Sequence, residues 1–136
     1  VILSADATVA EALARVRDEE LTPALASMVF VCRPPLDTPS GRFLGIVHTQ
    51  RLLREPPSLM VSGLLDDNLE PLYPDSALAQ VSRYLATYNL VVAPVINADH
   101  QLVGAVTVDD VLDHMLPEDW RGDQMDALDS DEVSRG

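Results

Sequence analysis

Two blocks of this chain occur twice, in the same order, and that repetition restricts the fold more than any other feature. Ala5–Val16 aligns with Pro74–Leu85 at an offset of 69 positions, which puts Asp6 on Asp75, Val9 on Leu78 and Val16 on Leu85. Phe43–Leu53 aligns with Leu102–Leu112 at an offset of 59, which puts Gly45 on Gly104. The change of offset is an insertion in the first copy, spread over Asp18–Ser27 and the turn Pro34–Arg42. Such blocks are copies of one supersecondary unit, and a unit this small buries its apolar face only by stacking on its twin.

Each copy reads β-α-β-β-α. In the first, Val1-Ile-Leu3 enters as a strand, and Thr8 with Glu11 three residues on predicts a capping box. Val9, Leu13 and Val16 then stripe one face of a helix. Met28–Cys32 is a buried strand with Cys32 as core packing, Pro34, Pro35, Pro39 and Gly41 make a turn, and Phe43–His48 returns. A short helix over Thr49–Arg54 stops before Pro56-Pro57. The second copy predicts a short helix around Val61–Leu65, a turn at Asp66-Asp67 and a strand around Leu69–Leu72. A helix from Asp75 or Ser76 to about Tyr88 turns Leu78, Val81, Leu85 and Tyr88 inward, followed by a strand over Val91–Ile96 and a turn over Asn97–His100. The class is α/β (α+β), with one repeat over 1–57, a second over 58–116, and an acidic, flexible tail over 117–136.

Charge narrows the partners. The 136 residues carry a net charge of −13, which repels nucleic-acid backbones and anionic membrane surfaces and attracts cations. The tail Pro117–Gly136 holds seven of the acids and two of the arginines. One cysteine excludes an internal disulfide and fits a reducing, cytoplasmic compartment. No apolar run reaches the ~18 residues of a membrane helix, and there is no signal peptide. The chain begins on Val1 rather than Met, as a piece cut from something longer would.

The candidate site is the end of the second copy. Leu102–Val106 is a strand, and Val108, Val111, Leu112 and Met115 carry helical spacing, so Thr107 stands where strand becomes helix. A threonine there caps the helix, whose free N–H groups and dipole favour an anion. Asp110 projects from the first turn as an acceptor for ribose hydroxyls, and Gly104 admits a close approach. Asp109 and Asp113, four apart on one helix face, offer carboxylates to a cation such as Mg²⁺ or form a solvated acidic face. His48, His100 and His114 lack metal-ligand spacing. No nucleophile–base pair stands out, so the chain reads as a binding protein rather than an enzyme.

Ala93-Pro-Val-Ile-Asn97 before the turn and Gly104-Ala-Val-Thr-Val-Asp-Asp110 after it resemble a CBS domain, and two copies in tandem resemble a Bateman module. The resemblance implies two repeats packed pseudo-symmetrically and an adenine nucleotide, ATP or AMP, held by the second. Its phosphate would lie at Thr107, its ribose at Asp110, and its base near Leu69, Glu70 and Ala93-Pro94, with Gly104 completing the signature. The first copy keeps Gly45 but has His48 and Arg51 where the threonine and aspartate should stand. Val61–Leu72, the spacing between copies, and Val103–Asp113 are further similar to the cytosolic CBS pair of MgtE-type magnesium transporters. That implies regulation of Mg²⁺ transport, Mg²⁺ bound by carboxylates, a homodimer, and attachment to or action on a membrane transport domain. Helix surface around Leu52-Leu53 and Val111-Leu112-Met115 would serve the dimer. The alternatives are a soluble adenine-nucleotide-sensing protein and a purely structural dimerisation module. Trp120 in the polar tail is expected either to dock on the domain or a partner or to be simply disordered.

Overall fold

The computed structural model describes residues 1–66 and 69–115. In the first repeat, β1 (Ile2–Leu3), β2 (Met28–Cys32) and β3 (Phe43–His48) form one sheet, with α1 (Val9–Val16), the short α2 (Pro23–Ala26) and the single-turn α3 (Thr49–Leu52) around it. A 3₁₀ turn at Val61–Leu64 follows, and the second repeat adds α4 (Leu78–Thr87), β4 (Val92–Ile96), β5 (Leu102–Thr107) and α5 (Val108–Met115). The tail over 117–136 with Trp120, residues 67–68 (which include Asp67 of the expected turn), and the Met115 side chain lie outside what is described.

The two sheets match in register. β2 and β3 run antiparallel with Met28 opposite His48 and Val31 opposite Gly45, and the register slips between Val31 and Cys32. β4 and β5 repeat the pattern: Val92 faces Thr107, Val95 faces Gly104, and the slip falls between Val95 and Ile96. β1 runs parallel to β2, with Leu3 opposite Val31. Its counterpart in the second repeat is shorter than expected. Instead of a strand over Leu69–Leu72, Leu72 alone bridges Val95, donating to the Pro94 carbonyl and accepting from Ile96.

Why every residue of β2 is buried follows from the layering. Val29 and Val31 face the helices of their own repeat, joining Val9, Ala12 and Leu52. Met28, Phe30 and Cys32 point the other way, onto Val92, Ile96 and Leu102 of the second sheet. Period-two alternation thus serves two cores at once, which a strand covered on both faces requires. A third core of Leu72, Leu85, Ala93 and Val111 lies between the second sheet and its helices. Each buried Val, Leu, Ile, Met or Phe side chain of these cores contributes about 1.5–3 kcal/mol.

The proline-rich insertion ties the repeats together. Ser40 is fully buried; its N–H donates to the Leu102 carbonyl, and its Oγ accepts from the Leu102 N–H at 3.0 Å and donates to the Gly41 carbonyl at 2.6 Å. Arg42 bridges Gln101, and the Phe43 N–H donates to the His100 carbonyl.

Helix ends account for the other differences. Thr8 Oγ1 accepts from the Glu11 N–H, but the Glu11 carboxylate meets the Thr8 hydroxyl rather than its N–H, so only half the capping box forms. The Thr8 backbone instead bridges Met60. Helix α2 was not expected, although Thr22 capping the Leu25 N–H with Pro23 at the first helical position signals it. Helix α4 starts at Leu78 and buries Leu85; Leu78 and Tyr88 are exposed, not inward.

Candidate ligand-binding site

At the β5–α5 junction Thr107 caps the helix as expected, and Asp110 returns the bond. Thr107 Oγ1 accepts from the Asp110 N–H at 3.2 Å, and Asp110 Oδ2 accepts from the Thr107 N–H at 3.1 Å. This reciprocal pair fixes the Asp110 carboxylate at the positive end of the helix, where a negative charge is stabilised. The Val108 N–H is satisfied by the Val91 carbonyl. The helix therefore starts where the chain leaves the sheet, with Asp110 held in place and one of its oxygens outside these bonds.

Asp110 opens onto a cleft of about 660 Å³. Val95 and Val106 form its floor, Leu78 and Val81 of α4 one wall, Val111 and His114 of α5 the other, and Tyr73 and Ser76 its rim. An apolar interior with a carboxylate, an imidazole, a phenol and a hydroxyl at the mouth suits a ligand with a flat apolar body and hydroxyls.

Not every expected residue reaches this cleft. Thr107 stands at its edge through Asp110, but Ala93 and Pro94 are fully buried and Leu69 packs into the core between the repeats. Glu70 is exposed and lies outside the lining, while its charge reaches Tyr84. Gly104 meets no described neighbour where a Cβ would be, so no neighbouring backbone approaches it there and the space stays open to a ligand. The approach occurs at its counterpart: Gly45 has φ +156° and the Asp66 carbonyl 3.2 Å from its would-be Cβ. Sequence reasoning missed Tyr73, Ser76, Val95, Val106 and His114, which line the cleft from the segment between Leu72 and α4, from β4 and β5, and from α5.

The matching positions of the first repeat are engaged internally. His48 Nε2 lies 3.7 Å from Asp66 Oδ2, and Arg51 Nε pairs with Glu55 at 3.2 Å. Asp109 and Asp113 are exposed on α5, and among the described residues no three His, Cys, Asp or Glu side chains gather as a metal site. The pair alone therefore supplies Mg²⁺ with at most two carboxylate ligands. Burial raises the Cys32 thiol above its ordinary range, against a hydrogen bond to Ser40, which suits packing rather than reactivity.

Comparison with known proteins agrees with this architecture. Residues 61–117 match the family model of the CBS domain. Over 73 residues the chain is 34% identical to the magnesium transporter MgtE of Thermus thermophilus, an alignment covering 54% of this chain and 16% of that protein. The crystal structure of the cytosolic domain of the Mg²⁺ channel MgtE in complex with ATP superposes with a TM-score of 0.70 at 29% identity, covering 83% of this chain and 44% of that one. The cystathionine β-synthase pair domain of a putative Mg²⁺ transporter from Shewanella oneidensis superposes with a TM-score of 0.70 at 23% identity, over 82% of this chain and 61% of that one.

The fold is that of a tandem CBS pair. It resembles the cytosolic CBS region of MgtE, and the chain spans less than half of that solved cytosolic domain. The cleft is lined by second-repeat residues, and the first repeat keeps Gly45 at the position of Gly104 but has His48 and Arg51 at those of Thr107 and Asp110. Among the described residues no helix is long and apolar enough to cross a membrane.

Proposed function

We propose that this CBS pair is a regulatory, ligand-sensing module that holds an adenine nucleotide in the second-repeat cleft and, with Mg²⁺, controls a magnesium transport domain. The observation that carries the reading is the Thr107–Asp110 cap opening onto an apolar cleft. The MgtE cytosolic domain, solved in complex with ATP, supports the choice of ligand. In this reading the base lies between Tyr73 and the Val95–Val106 floor. The ribose hydroxyls donate to the Asp110 oxygen left outside the cap, and the phosphate extends past Thr107 toward the start of α5. Tyr73 and the valine floor replace Leu69, Ala93 and Pro94 as base contacts, because those three are turned into the cores. Mg²⁺ would meet Asp109 and Asp113 with its remaining positions held by water or by a partner.

The module acts as a homodimer in this reading, through the exposed Leu53, Val91 and Leu112. Leu52 and Val111 are buried within their own repeats and drop out of that surface. Calorimetry with ATP and AMP tests the proposal. Asp110→Ala removes a charged acceptor and weakens binding by about 1.5–3 kcal/mol, roughly 10- to 150-fold. Arg51→Ala, in the first repeat, leaves it unchanged. Equal losses from both would reject the assignment to the second repeat, and no binding at all would leave a structural dimerisation module.

A further inference from the structure

One surface runs unbroken from the first repeat to the second. The link Asn89–Val91 between α4 and β4 walls two adjoining grooves, one reaching Thr49 and Gln50 at the start of α3, the other Val108 and Leu112 of α5. Tyr88 and Val91 stand exposed in the middle of this surface, Leu53 at its first-repeat end and Leu112 at its second-repeat end. Leu53 is 67% exposed, more than any other large apolar side chain among the described residues. Gln50 and Leu53 lie one helical turn apart, as Asp109 and Leu112 do, so each leucine shares its outward side with a polar neighbour.

The two ends differ in sign. Helix α1 packs on α3, and with the residues that end them they carry Arg15, Arg17, Arg51 and Arg54 against Glu11 and Glu55. Helix α4 packs on α5, and the pair carries Asp109, Asp110 and Asp113 against Arg83. Arg51 is held by Glu55 and Asp110 by the cap of α5, while Arg54, Asp109 and Asp113 have no ion-pair partner among the described residues. A second copy can meet such a surface symmetrically in two ways. Head to head, Arg54 faces Arg54, and Asp109 and Asp113 face their own copies. Head to tail, about a two-fold axis at Tyr88 and Val91, each Leu53 meets Leu112 of the second copy, and each Arg54 meets its Asp109 and Asp113. A chain of net charge −13 is repelled by its copy, and only the second arrangement offsets that repulsion where the surfaces touch. We infer that two copies dock head to tail, α3 of one on α5 of the other, with the contact made twice around the axis. This pairing rests on the dimer proposed above and not on nucleotide binding.

Cross-linking the full chain tests this, in buffer free of divalent cations so that Mg²⁺ does not bridge the acids. Cys32 is buried, so Leu53→Cys and Leu112→Cys each add one accessible thiol. A short bismaleimide is expected to join the two variants when they are mixed and to leave each variant unjoined on its own. Each variant cross-linking to itself, with no gain on mixing, overturns the pairing and leaves a head-to-head dimer. Charge reversal is the second arm, read by sedimentation. Arg54→Glu is expected to raise the dimer Kd about 5- to 30-fold, because two exposed ion pairs per dimer turn repulsive. Asp113→Arg loosens the dimer likewise, and the two substitutions combined tighten it again. Single variants that do not loosen the dimer, or a combination without recovery, overturn the pairing, as do masses that climb past a dimer. A monomer at about tens of micromolar overturns the pairing and the dimer together, and the nucleotide reading then stands or falls by calorimetry alone.

Discussion

Replacing Ser40 with alanine is the sharpest structural perturbation the fold offers, because one hydroxyl sits between the repeats. Its Oγ accepts from the Leu102 N–H and donates to the Gly41 carbonyl, and the residue is fully buried. Removing the hydroxyl leaves the Leu102 N–H without its acceptor in a site with no access to water. Stranding a buried donor costs about 1–3 kcal/mol, more than the net value of an ordinary hydrogen bond. For a chain of this size that corresponds to a fall in Tm of roughly 3–12 °C. Ser27→Ala is the control. Its Oγ donates to the Ala24 carbonyl at 2.6 Å, but that carbonyl also accepts from the Ser27 N–H, so nothing is stranded. Urea unfolding of both variants, with m unchanged, isolates the difference. Ser40→Ala costing no more than Ser27→Ala would refute the claim that this hydroxyl locks the insertion onto the second sheet.

Tyr84 predicts an alkaline effect. Its hydroxyl has no hydrogen-bond partner among the described residues, and burial, then the neighbouring Tyr88, Glu70 and Asp66, push its pKa from 10.0 up to about 12. The folded state therefore keeps its proton after the unfolded chain has lost it, so this contribution is intact below pH 10 and is lost as pH rises through 12. Tyr84→Phe should flatten the stability profile across that window without loss at neutral pH; an unchanged profile would exclude Tyr84 as its source. Millimolar Mg²⁺, roughly the range of weak carboxylate sites, should raise Tm beyond NaCl of equal ionic strength, and Asp109→Asn/Asp113→Asn should remove the excess. Identical shifts would make these aspartates a solvated face. Light scattering should give a dimer that Leu53→Glu/Leu112→Glu dissociates; a monomer at tens of micromolar, a working range for weak association, would reject that interface.

The strands β2 and β3 were legible because their signals are local, whereas the strand expected over Leu69–Leu72 shrank to one bridge. Met28–Cys32 and Phe43–His48 are apolar runs bounded by turn residues, and both end where the pattern ends. The Thr107 cap was legible for the same reason, since its partner lies three residues on, whereas the reciprocal bond from Asp110 was not anticipated. The base-contacting wall was not. Ala93-Pro94 sits beside the signature in sequence, yet strand alternation turns Pro94 away from the helices, and of Ala93 and Val95, which share the helix-facing side, Ala93 is closed into the core and only Val95 reaches the cleft. The inward face of α4 was misjudged at Leu78 because amphipathic spacing cannot report that the covering segment present over Val9 has no described equivalent over Leu78. Ser40 escaped notice altogether: a serine in a proline-rich turn gives no sign of a partner 62 positions away.

The central claim is that one repeat holds the ligand and the other is closed. It is tested most directly by titrating the isotopically labelled chain with ATP or AMP and following backbone amide resonances in both repeats. The account predicts that shifts concentrate at Tyr73, Ser76, Val106, Asp110 and His114, and that the matching first-repeat positions around Val47, Arg51 and Glu55 stay fixed. Shifts of equal size around His48 and Arg51, or shifts confined to the first repeat, would contradict it.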